Sequence, residues 1–157
     1  MGVLFDYFRA PSDAVVVELM DKHDGDSPGG IEGWTPIVDL KAVDPTIVLG
    51  RLVGFIAGSL SPAAAARDRL VWPVGGENDM NHQGPWVTSL TDQVRDALAG
   101  LDDARLHEVA TVWTGIEEFS HYSDNTVESS AAIITLLVEL ARAARDADEH
   151  LYCWICL

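Results

Sequence analysis

The chain of 157 residues is long enough for one domain that buries about two-thirds of its unfolded surface. Its 25 acidic and 10 basic side chains give a formal net charge of −15, which argues against nucleic acid or an anionic membrane as partner and allows a basic protein, solubility alone being the plainer reading. Two cysteines, a start without basic region or cleavage site, and no apolar run of membrane length lead us to expect a single cytoplasmic domain over 1–157. Eight Arg against two Lys, with abundant Ala, Asp and Gly, suggest a GC-rich bacterial genome.

Alternation over Gly2–Arg9 predicts a strand, with Val3, Phe5 and Tyr7 on one face and Leu4, Asp6 and Phe8 on the other. Ser12 or Asp13 then caps a helix to about Lys22, striped by Val15, Val16, Leu19 and Met20. Asp24–Gly30 reads as a flexible loop, and Trp34–Leu40 as a short edge strand, because Pro36 cannot donate to a ladder. Asp44-Pro45 is a helix start, followed by a largely apolar helix with Gly50, Gly54 and Gly58 at steps of four. Ser61-Pro62 predicts a further short helix to about Leu70, before a strand beginning at Val71-Trp72.

Pro73–Gly84 is a twelve-residue polar loop, long for a structureless connection. Within it Glu77, Asp79 and His82 are candidate metal ligands, and His82 is a candidate general base. Trp86–Leu90 reads as a strand. Ser89-x-x-Asp92 fits a capping-box variant opening a helix to Ala99, stopped by Gly100. Asp102 caps the next helix, which carries Leu106, Val109, Ala110 and Trp113 inward. Near its end Glu118 and His121, three apart, share a face as in one half of a di-iron site, but no second Glu-x-x-His exists.

The final segment dominates the architecture. Val127–Asp148 is a long amphipathic helix capped by Asp124 or Thr126; Glu139 with Arg142 and Arg142 with Asp146 are expected as surface pairs. Leu151–Leu157 follows, apolar on both alternating faces, and predicts a central buried strand. Its Cys153 and Cys156 face opposite ways, beyond disulfide reach, and are read as core residues, with redox or metal use as the alternative. The expected fold is α+β, a single domain with a small mixed or antiparallel sheet, a buried C-terminal strand and about five to six helices including the long last one.

In layout the chain resembles the YfbM-like family, a bacterial domain of unknown function. The likeness rests on Met-Gly at the start, Tyr7-Phe8, Pro11-Ser12-Asp13 and Asp44-Pro45. It continues through the apolar helix ending Gly54-Phe55-Ile56-Ala57-Gly58, then Pro73-Val74-Gly75-Gly76-Glu77, Val87–Thr91, and the long helix before a hydrophobic terminal strand. The resemblance implies a compact α+β domain and carries no catalytic residues.

Two functions follow as expectations. The first is an acidic binding protein of inhibitor or immunity type that covers a basic protein partner without catalysis and without a cofactor. The alternative is a small enzyme whose site joins the 75–83 loop to the 117–122 segment. There His82 or His121 would act as base and Glu77, Glu117 or Glu118 as orienting groups.

Overall fold

The computed structural model describes residues 2–34, 36–58 and 66–157. Five strands form one antiparallel sheet: β1 (Leu4–Ala10), β2 (Val38–Leu40), β3 (Arg67–Trp72), β4 (Trp86–Leu90) and β5 (His150–Cys156), in the order β2-β1-β5-β4-β3. Five α-helices are described: α1 (Asp13–Lys22), α2 (Val48–Ile56), α3 (Asp92–Ala99), α4 (Leu106–Thr114) and α5 (Val127–Asp146).

The terminal strand is the centre of the sheet. All seven residues of β5 pair with β1, from His150 opposite Ala10 to Cys156 opposite Leu4, and Tyr152–Ile155 also pair with β4. Alternation sends its two sides into two different cores. Leu151 and Cys153 join Tyr7, Leu90 and the inward faces of α2 to α5. Tyr152 and Trp154 join Phe8, Val87 and the Val16–Leu19–Met20 stripe of α1. The molecule is therefore layered: four helices, the sheet, then one helix.

Caps explain most helix starts. The Ser12 and Thr126 hydroxyls accept from Val15 N and Ser129 N; the latter bond closes a reciprocal box, since Ser129 Oγ accepts from Thr126 N. Asp44 accepts from the amides of Thr46, Ile47 and Val48 just ahead of α2. At α3 the cap is Thr91, which accepts from Val94 N, and not Ser89. Ser89 is occupied as a buried residue of β4, paired with Tyr152.

Two other expectations are corrected. Arg67–Leu70 belong to strand β3 and not to a helix; the earlier part of that expected helix, 59–65, lies outside the described residues. Exposed Arg67, Asp68 and Arg69 suit an outermost strand, where charge blocks pairing with another chain. Arg142 does not reach Glu139 or Asp146. It donates to the carbonyls of Ala99 (3.1 Å) and Leu101 (2.8 Å) and reaches Asp103 at 3.2 Å, so it closes the C-terminal end of α3.

The Asp24–Gly30 segment is pinned at two points. The Gly25 carbonyl accepts from Trp154 Nε1 at 2.8 Å, and the Ser27 hydroxyl donates to the buried Asp6 carboxylate. Gly25 has φ +78°, and a Cβ there would meet the Trp72 ring at 2.7 Å, so both conformation and space require glycine.

Removing the Trp154 side chain takes away a buried indole and its bond to the pinned loop. Trp154→Ala should lower unfolding free energy by about 3–5 kcal/mol in urea titration; a loss below about 1 kcal/mol would contradict the double-core role of β5.

Asp6 supplies a second check. Burial raises its pKa, the Ser27 hydrogen bond lowers it, and Asp39, directly opposite on β2, raises it again. The folded state thus holds this proton more tightly than the unfolded chain. Its contribution to stability is present at acid pH and is lost as pH rises through the folded-state value. Asp6→Asn should raise the unfolding midpoint at pH 7 and flatten its fall from the ordinary aspartate range upward. A midpoint at pH 7 unchanged or lowered would refute this.

Candidate functional site

The densest meeting of ionisable groups lies in a polar cleft of about 320 Å3 on the α1 side of the sheet, lined by Ser12, Asp13, Arg69, Ser89, Asp92, His150 and Tyr152. Its members come from far apart in the chain. Asp13 opens α1, Arg69 lies on edge strand β3, Asp92 opens α3, and His150 and Tyr152 are alternate residues of β5.

Two separate clusters meet at it. In the first, the Tyr152 hydroxyl donates to Asp13 Oδ1 at 2.8 Å, while Asp13 Oδ2 pairs with the Arg69 guanidinium. Arg69 also holds Asp68, whose carboxylate is 3.5 Å from the Ser89 hydroxyl. Burial, then the bond to Asp13, pushes the Tyr152 phenol upward, so it stays a donor at neutral pH. In the second, His150 Nδ1 meets Asp92 Oδ1 at 2.7 Å, and Asp92 is 3.4 Å from Arg95. Arg95 also donates to the Glu149 carbonyl at 2.9 Å. The Glu149 carboxylate in turn accepts from Arg9 at 2.9 Å.

Chemically the first cluster is closed on itself. Its phenol, guanidinium and carboxylates satisfy one another, and Ser89 is buried, so no activated nucleophile results. The second contains a histidine oriented by a carboxylate, with Nε2 lacking a described partner; that is a general-base geometry.

The residues singled out from sequence lie elsewhere. His82 is wedged edge-on between Trp72 (6.1 Å between ring centres) and Trp86 (5.4 Å), and its Nε2 is 2.8 Å from the Pro85 carbonyl. Glu77 and Asp79 are exposed at a 3-10 turn, Gly76–Asn78, and just past it. Asp79 Oδ1 accepts from Asn81 N. Glu118 lies in a separate 3-10 turn, Glu117–Phe119, beyond α4, where its Oε1 pairs with Arg51 at 2.9 Å. Glu117 and His121 are exposed. Among the described residues, the 75–83 and 117–122 segments share no hydrogen bond, ion pair or aromatic contact. Nor do three His, Cys, Asp or Glu side chains come together there as a metal site.

Cys153 and Cys156 are free thiols on opposite faces of β5. Burial pushes the Cys153 thiol well upward, which suppresses the reactive thiolate.

Most of the positive charge is spent internally. Six of the eight arginines (Arg9, Arg51, Arg69, Arg95, Arg142 and Arg145) form ion pairs, and Arg105 donates to the Ile56 carbonyl. These pairs engage eight of the 25 acidic residues. Among the described residues, no helix is long and apolar enough to cross a membrane. Comparison with protein-family models, with curated proteins and with solved structures gives no match.

Proposed function

We propose that this protein acts by binding in the cytoplasm, covering a basic protein partner with an acidic surface in the manner of an inhibitor or immunity protein. The carrying observation is the charge excess: 25 acidic against 10 basic side chains leave a net charge of −15, which pairing among them does not change, and the outward field is negative. Exposed Glu18, Asp21, Asp24 and Asp26, on and just after α1, concentrate carboxylates there, with Lys22 among them, beside the partly buried Val17. The same field repels nucleic acid and anionic lipid.

Long-range charge acts mainly on association rate. Against a panel of folded basic and neutral proteins, association should be confined to basic members and should slow about tenfold or more between 50 and 300 mM salt. Glu18→Gln/Asp24→Asn/Asp26→Asn should slow it further with little change in stability. Association that ignores salt, or that includes neutral proteins equally, would refute the proposal.

One observation favours a second reading as a small enzyme: the 2.7 Å His150–Asp92 contact opens on the cleft that also holds Arg69 and Tyr152. If that pair is a general base, a substrate found by small-molecule hydrolysis screening would be turned over at a rate set by His150. His150→Gln would reduce it about 10²-fold or more. Equal turnover by His150→Gln would eliminate the reading.

A further inference from the structure

A second, smaller cleft lies on the four-helix side of the sheet at the β3–β4 end, with a volume of about 240 Å3. Its lining includes Arg67, Leu70, Glu77, Trp86, Thr88 and Ile155. Three of these residues, one buried hydroxyl and two exposed charges, have no side-chain partner among the described residues. Thr88 is 1% exposed, and its hydroxyl oxygen is buried without a hydrogen-bond partner. Leaving such a group unpaired opposes folding, and a ligand group that pairs it recovers that loss. Arg67 is, among the described residues, the one arginine whose side chain has neither an ion pair nor a hydrogen bond, and no Asp or Glu stands within ion-pair distance. Exposed Glu77 likewise has no ion pair among the described residues, and it lines the same cleft.

We infer that this cleft binds a free α-amino acid with an apolar or aromatic side chain. A guanidinium accepts a carboxylate through two parallel N–H···O bonds. The Glu77 carboxylate supplies the counter-charge for an ammonium. The Thr88 hydroxyl, donor and acceptor at once, can bond either polar end. Leu70, Trp86 and Ile155 provide the apolar wall. A purely anionic ligand leaves Glu77 opposed to like charge, and a purely cationic one leaves Arg67 so, whereas a zwitterion satisfies both. The volume falls below the ~300–1,000 Å3 of sites for drug-sized ligands, which fits a molecule of this size.

The test is calorimetry and thermal melting of the full chain with L-leucine and L-phenylalanine. Comparison ligands are 3-phenylpropionate, which lacks the ammonium, and phenethylamine, which lacks the carboxylate. The expected result is saturable binding of the amino acids, with each singly charged analogue at least about tenfold weaker, roughly 1.4 kcal/mol. Arg67→Ala and Glu77→Gln should each weaken binding to a similar degree. Thr88→Val should melt no lower than the parent, because it removes an unpaired buried hydroxyl, and should still bind more weakly. No binding up to about 10 mM, equal binding of the singly charged analogues, or undiminished affinity in Arg67→Ala would overturn the inference.

Discussion

The arrangement depends on one strand being apolar on both sides. A strand with a polar face can lie at an edge or against solvent, but His150–Cys156 can satisfy its residues only between two neighbours and between two layers. Placing it there fixes β1 and β4 on either side, commits α1 to one face and α2 to α5 to the other, and leaves the short β2 and the charged β3 as edges. Trp154 extends the constraint into the connection after α1, through its hydrogen bond to Gly25.

The same geometry makes the polar cleft. His150 and Tyr152 project from the start of β5, and the first residues of α1 and α3 reach them as Asp13 and Asp92. Edge strand β3 adds Arg69. Chain ends and helix starts thus meet at one place because the last strand passes through the middle of the sheet. Charges close on one another there, and at Arg9, Arg51, Arg95 and Arg142, each cation with a carboxylate of its own. The net charge of −15 is untouched by that pairing, so the acidity of the surface follows from composition.

Elements with strong local signals were readable in advance. The two-sided apolar run gave β5 its central place, Thr126 marked the start of α5, and Asp44 marked the entry to α2 through side-chain bonds made within four residues. Of β3 only the apolar end, Val71-Trp72, was readable; over Arg67–Leu70 the pairing shifts register and the residues carry exposed charge, which hides the alternation. Ser89 looked like a cap because the motif is local, whereas burial against Tyr152 is not. Arg142 looked like a surface partner for its own helix, yet carbonyls some forty residues earlier hold it. The polar cleft was missed for the same reason: Tyr152 and Asp13 are 139 positions apart, and no spacing rule joins them. The one available signal was a histidine and a tyrosine two apart on an otherwise apolar strand, which puts both polar groups on one face.

Native-state hydrogen exchange of the β5 amides tests this account most directly. If β5 anchors both layers, the Tyr152, Cys153 and Trp154 amides exchange only through global unfolding, with the free energy found for the whole domain by urea titration. Exchange of those amides through a cheaper local opening, while α5 stays protected, would show that the helices hold together without the strand and would contradict it.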